Sequence, residues 1–362
     1  MRCRIVSKRA LSKENYIRSR RQQHTAMRPL LHYFIKRTIT YLLTLFIVVS
    51  ISFCLFRLIP GDPIGSFVGQ LEAQGRYIEA EKAKQVIEQY KKMFGLDKDL
   101  FSQYICFLKE LMHGNLGPSL IGFPTPAQDL IFERLPWTIG LLGVSILIAW
   151  AIGLLLGCLL GWKRDTVLDK TLTALSLVFS QIPYYLMAVL LVLLFVYYLK
   201  VLPSGGAYSP HLTPGFYWEF VKSVIEHSIL PALSLVFTMG ASWLVSTRFL
   251  VINLLAEDYL HYAEAKGLKN SRIINRYILR NALLPQITGL SLSLSFALGG
   301  QIVLETIFSY PGIGYLFSIA IGLLDYNVIN GILLLIIFTA LTANYILDML
   351  YPLIDPRVRY HE

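Results

Sequence analysis

Six stretches of this chain are apolar over the ~20 residues that a helix needs to cross a bilayer. They are Ile39–Ile59, Trp137–Trp162, Leu172–Tyr198, Ile229–Leu250, Leu284–Phe308 and Val328–Leu350. Several contain Gly, Ser or Pro, which membrane helices tolerate better than soluble ones. Two of the polar intervals are long. In residues 60–136, Ala83, Val86, Ile87 and Tyr90 share one face of a predicted amphipathic helix over Ala80–Phe94, which Gly95 ends. Phe101–Met112 reads as a second short helix of that interval, and the pair would cap the mouth of a pathway, meet a partner or form a solvated insert. Residues 251–283 are mostly good helix formers with charges suited to exposure. The pattern predicts an all-α, polytopic membrane protein with six transmembrane helices.

Charge placement orients the spans. Residues before the first run carry eleven Lys/Arg and one acid, Glu14. Lys163, Arg164 and Lys170 follow the second run; Arg248, Lys266, Lys269, Arg272, Arg276 and Arg280 lie between the fourth and fifth; Arg357 and Arg359 follow the sixth. Segment 309–327 has no basic residue, and 199–228 only Lys200 and Lys222. The positive-inside rule therefore predicts cytoplasmic termini, in agreement with an even number of spans. Residues 60–136 are then external, and 251–283 internal. Residues 1–27 form a basic cytoplasmic arm ahead of a membrane domain over 28–362. The arm lacks the apolar core of a secretory signal, and Met27 is a natural alternative start, so residues 1–26 are expected to be disordered or absent from the mature protein.

Composition agrees. Only 15% of residues are charged and 55% are hydrophobic, with a mean hydropathy of +0.54, where soluble domains carry about 25% charged residues. The net charge of +10 falls in blocks between apolar runs, a topology signal that argues against a nucleic-acid partner. Cys3, Cys54, Cys106 and Cys158 form neither a disulfide framework nor a zinc pattern. No phosphate-cradling G-x-x-x-x-G-K-[ST], G-x-S-x-G or H-E-x-x-H motif is present, so no catalytic residue, metal ligand or cofactor is expected on this chain.

The interval from Asp258 to Pro285 reads as a short helix, a break at Gly267 and a basic helix leading to Pro285. Ala263 and Ala265 are small enough for another protein's surface to approach. Gly267 permits backbone angles closed to other residues. Pro285 suits the first turn of the following span. This builds a protruding knuckle. It resembles the coupling loop of ABC-importer permeases, and most closely the oligopeptide/dipeptide/nickel permease family, as its first (B-type) subunit. The resemblance runs through Asp258, Tyr259, Ala263, Ala265, Lys266, Gly267 and Leu268, then Arg272, Arg276, Arg280, Asn281, Ala282, Leu283 and Pro285. His261 and Tyr262 stand where the general loop has Glu-Ala, and the Gly-to-Pro spacing is longer; both departures are shared by the peptide-type subgroup. Four other stretches resemble that family: Pro60–Pro63, Arg134–Thr138, Pro183 with Leu202–Gly206, and Phe308–Gly314. Gly114–Ser119 departs from it, with Asn115 in place of an acid.

The resemblance implies a type I ABC importer permease fold in a bacterial cell membrane. It implies a second homologous permease subunit, two cytoplasmic ATPases that hold ATP and Mg, and an extracytoplasmic solute-binding protein that delivers peptides. Nickel chelates or oligosaccharides are alternative substrates. The coupling contact falls on Tyr259, Ala263, Glu264, Ala265, Lys266 and Gly267. Ionisable groups at membrane depth are expensive and often functional, so Glu305 is a candidate for the pathway, and Asp325 and Asp348 lie near spans. Tyr310, Pro311 and Gly312 form an outer gate, a loop that meets the binding protein, or a tight turn. Ser291, Ser293 and Ser295 with Gly299 and Gly300 give the fifth run a small, polar face, suited to helix packing or to pathway lining. Arg57 is expected to snorkel, and Trp137, Trp162, Tyr197 and Tyr198 to sit in aromatic belts. A secondary transporter is the rival reading, but it needs more intramembrane charge and a repeated broken helix.

Overall fold

The computed structural model describes residues 33–55, 88, 98–121, 125–297 and 299–354. The arm at 1–26, the stretch Pro60–Pro63, Arg57 and, Glu88 apart, the predicted helix Ala80–Phe94 lie outside them. Twelve helices are named here in chain order: α1 Tyr33–Leu55, α2 Leu100–Met112, α3 Ala127–Trp162, α4 Val167–Gln181, α5 Tyr184–Tyr198, α6 Trp218–Leu255, α7 Asp258–Ala265, α8 Asn270–Ile273, α9 Leu279–Ala297, α10 Ile302–Ile307, α11 Ile313–Leu323 and α12 Tyr326–Ile354. Four are long and apolar enough to cross a membrane, and α4 with α5 makes a fifth if the pair counts as one bent span.

Several sequence boundaries shift. The second span begins ten residues before Trp137, because Ala127–Pro136 is helical and buries Ala127 and Ile131 under α11 and α12. Pro136 therefore lies inside the helix, followed by a wide π turn at Ile139–Gly143. The third run is not straight: α4 and α5 meet at 97° beside Pro183, whose ring cannot continue the helix. The fifth run also divides, into α9 and α10. Pro285 is interior to α9 rather than in its first turn, since a π turn at Ile274–Ile278 joins α8 to α9 without a stop. Phe101–Met112 is helical as predicted, capped by Asp99, whose carboxylate accepts from the Ser102 N–H at 3.1 Å. Hydrogen bonds from Ser102, the hydroxyl first, hold Asp99 below the ordinary carboxyl pKa.

The described residues fall into two compact units, one made of those within 33–51 and 341–354 and the other of those between 52 and 340. In the first, Tyr41 stacks on Tyr345 at 4.8 Å and Thr38 Oγ1 meets the Tyr345 hydroxyl at 2.8 Å. Asp348 pairs with Arg37 at 3.4 Å, which accounts for this membrane-depth acid. In the second unit the spine is α3 against α6. Gly153, Gly157 and Gly161 fall on one face of α3, and added side-chain carbons there would strike Trp243, the Leu244 carbonyl and Val251 of α6. Without a hydrophobic drive between helices in lipid, such close backbone approach supplies the packing energy.

Gly157→Val should therefore be destabilising by about 1–3 kcal/mol, because the opposing atom is a backbone carbonyl that cannot move aside. Thermal unfolding of the detergent-purified protein checks this. Gly140→Val, which meets only open space, should leave it unchanged.

Candidate translocation and coupling sites

Where helices break inside a bilayer, their terminal N–H groups have no water to turn to, and side chains must satisfy them. Glu305 does this beside the Phe308–Gly314 turn. It sits on α10 with no exposed surface. One carboxylate oxygen accepts the Gly314 and Tyr315 N–H groups at 2.8 and 3.1 Å, in the first turn of α11. The other accepts the Thr138 hydroxyl at 3.1 Å, and Thr138 Oγ1 in turn accepts the Ile313 N–H at 2.8 Å. A carboxylate at a helix N-terminus also faces the positive end of its dipole. A Cβ at Gly312 would collide with both Glu305 and Thr138, and one at Gly314 would strike the backbone of Ile302. The acid predicted for the pathway is thus enclosed by the chain itself.

The turn after α10 gathers stretches that are far apart in sequence. The Phe308 carbonyl accepts the Gly206 N–H at 2.7 Å, and Gly205 has no room for a side chain against it. Tyr310 is buried, edge-on to Trp137 at 6.1 Å, and Trp137 stacks on Tyr208 at 5.7 Å. Leu202–Gly206, Arg134–Thr138 and Phe308–Gly314 therefore form one cluster. The Phe308–Gly314 turn joins α10 to α11, an apolar helix too short to span a bilayer. Half-buried Pro311 and buried Gly312 complete the turn. On its open side Tyr310, Trp137, Ser145 and Ser228 line an otherwise apolar cavity of about 550 Å³ between α3 and α6, with the Tyr310 hydroxyl 3.5 Å from Ser228 Oγ. Ser295 is buried, bonds back to the Ser291 carbonyl at 2.7 Å and borders a second cavity of about 250 Å³ at the π turn of α3.

Asp325 repeats the device. It is fully buried and caps α12 through the Val328 N–H at 3.2 Å. Its other oxygen accepts the Ser119 hydroxyl at 2.6 Å and the Leu120 and Ile121 N–H groups at 2.7 and 3.2 Å. Asn327 donates to the Pro118 carbonyl at 2.8 Å. Asn115 bonds locally, to Glu110 and the Gly117 N–H.

At the opposite end, Asp169 of α4 is buried and takes both arms of the Arg248 guanidinium, at 2.5 and 2.8 Å. Arg248, counted above as a loop charge, lies within α6 and is neutralised there. The knuckle follows. Leu260 and Ala263 of α7 pack with Val251, Ile273, Ile278 and Ala282, and the Tyr259 hydroxyl accepts from Asn281 at 2.9 Å. Ala263 therefore faces its own core. The exposed surface is His261, Tyr262, Glu264, Ala265, Lys266 and Gly267, with Gly267 at φ 69° as the predicted break. Tyr262, which sequence reasoning passed over, is 70% exposed. Sequence reasoning also missed Thr138, the Asp169–Arg248 pair and the Gly153/Gly157/Gly161 face, of which only the last has a visible signal, its four-residue spacing. Among the described residues no His, Cys, Asp and Glu gather as a metal site.

Asp325→Ala should free residues 114–121 while leaving α12 in place. Hydrogen exchange of that segment should rise at least tenfold, since three donors lose their acceptor at about 1 kcal/mol or more each. Unchanged exchange would contradict the anchoring role.

The two family models that match cover nearly the whole chain. A model described as binding-protein-dependent transport system inner membrane component matches residues 153–360, and its N-terminal companion matches 30–141. The oligopeptide transport system permease protein AppB of Bacillus subtilis is 31% identical, with 91% of this chain and 99% of that protein covered. The glutathione transport system permease protein GsiC of Pectobacterium atrosepticum is 33% identical over 91% of this chain and all (100%) of that one. The di/tripeptide transport system permease protein DppB of Pseudomonas aeruginosa is 33% identical over 90% and 98%. This chain belongs to the binding-protein-dependent transport system inner membrane component family, as an integral membrane transport subunit.

Proposed function

We propose that this chain is the first of two homologous permease subunits of an ATP-driven importer of peptides. An extracytoplasmic binding protein delivers the peptide, and two cytoplasmic ATPases, which hold ATP and Mg, drive the cycle. The termini and the knuckle are cytoplasmic, and residues 60–136 external. The peptide assignment draws on the names of the relatives, which carry oligopeptides, glutathione and di/tripeptides.

The observation that carries the coupling is the division of the knuckle into two faces. Leu260 and Ala263 fasten it to the membrane helices, while Tyr262, Glu264, Ala265, Lys266 and Gly267 are exposed. A short helix that offers one aromatic and small neighbours suits a groove on a partner. α6 carries the signal onward. It is one helix of 38 residues, with Val251 in the knuckle core and Ser228 on the cavity that Tyr310 and Trp137 line. A push on the knuckle is therefore felt at the cavity, the proposed pathway. Glu305, Pro311, Gly312 and Ser295 hold the walls around it.

Gly267→Leu separates coupling from folding. The site faces open space within this chain, so the substitution costs only the positive-φ strain of about 1–2 kcal/mol. In proteoliposomes that contain the whole transporter, peptide uptake should fall at least tenfold, with insertion and assembly retained. Uptake at the unmodified rate would refute the coupling assignment. Ala263→Arg is the contrasting variant: it buries a charge in the knuckle core, so it should lower stability as well.

A further inference from the structure

We propose that α2 is an interfacial helix, lying in the lipid–water boundary at the end of α1 with Phe101, Ile105 and Met112 in lipid. The inference rests on membrane location alone, and not on the substrate or the direction of transport.

α2 is held to the end of a span. Its Tyr104 and Phe107 rings each lie 5.3 Å from the ring of Phe53, which is in the last turn of α1. The apolar window of α1 is only 11% buried within the chain, so the chain itself leaves most of its circumference uncovered. Cys54 and Leu55, beside Phe53, are exposed as well. α2 therefore sits against the last turn of α1.

The second observation is the pattern around α2. At 100° per residue its apolar side chains occupy one broad arc. Tyr104, Phe107, Leu108 and Leu111 fill the half that is turned toward the protein. Phe101, Ile105 and Met112 fill the adjoining edge and are 72%, 49% and 88% exposed. Ser102, Cys106 and Lys109 follow on the next arc, exposed and mostly polar. A water-facing helix would place its polar arc where Phe101 and Met112 stand. An interfacial helix needs this arrangement, with an apolar edge in the acyl boundary and a polar edge in water. Lys109, next to Ile105, can lay its stem along lipid and keep its ammonium among the headgroups. Continuity of this edge with the lipid-facing end of α1 selects lipid over a partner protein as its occupant.

Site-directed spin labels test the placement in the complete transporter, reconstituted in liposomes. In a background with Cys3, Cys54, Cys106 and Cys158 replaced by Ser or Ala, nitroxides are attached to Phe101→Cys, Ile105→Cys, Met112→Cys, Ser102→Cys and Lys109→Cys. All five sites are exposed, so the core is undisturbed. Collision with oxygen, which concentrates in lipid, is compared with collision with a water-soluble nickel chelate. Oxygen should dominate at 101, 105 and 112, and the chelate at 102 and 109. Dominance of the chelate at all five would mean a solvated helix and overturn the proposal. Protection from both agents at 101, 105 and 112 would mean a protein cover and overturn it equally. Intact peptide uptake by these variants keeps either failure separate from the assignment of function.

Discussion

A backbone N–H or C=O group buried in lipid must find a partner within the protein, and this single constraint explains where Glu305, Asp325 and Asp169 lie. Unbroken helices satisfy themselves. Every break exposes a set of N–H groups that water cannot reach. Glu305 closes the break before α11, and Asp325 the break before α12. Asp169 takes the Asp165 N–H at 3.1 Å along with Arg248. Each carboxylate serves at least one donor near a helix start and at least one from elsewhere in the chain, so the same group that permits a break also fixes what packs beside it.

The consequence is a stiff body with definite ends. The glycine face of α3 draws α6 into backbone contact over three turns. Arg248 ties α6 to α4. The Glu305 cluster ties α10 and α11 to α3 through Thr138, and Asp325 fastens the Ser119–Ile121 loop to α12. The proposed coupling relies on this property, because a force applied at the knuckle does useful work only if the helices that transmit it do not yield. Small displacements in packed cores move whole elements, since such cores deform little.

A membrane-depth carboxylate is ambiguous from sequence. Ion coupling, a polar pathway and a structural cap all call for an acid in an apolar run, and the physical difference is what surrounds it. Glu305 looked like pathway because its donors, Thr138 and the N–H groups of Gly314 and Tyr315, are partly remote and partly backbone, and neither kind leaves a mark near residue 305. Ala263 is ambiguous in a similar way. A small residue permits approach from either side, and only the packing of Val251 and Ile273 against it decides that the approach comes from within.

What the sequence by itself determined was whatever depends on local runs and spacings. Apolar lengths marked the four helices long enough to span, the position-by-position match at Asp258–Pro285 marked the knuckle, and Gly267 marked the break at a positive φ. These depend on helix length, on hydropathy and on the allowed angles of one residue, all local quantities. Tertiary structure alone decided that Pro285 and Pro136 lie within helices, that the third run bends by 97°, and that the Arg134–Thr138, Leu202–Gly206 and Phe308–Gly314 stretches are one site. Those outcomes depend on which distant group satisfies a freed backbone donor, and a residue more than a hundred positions away leaves no local trace.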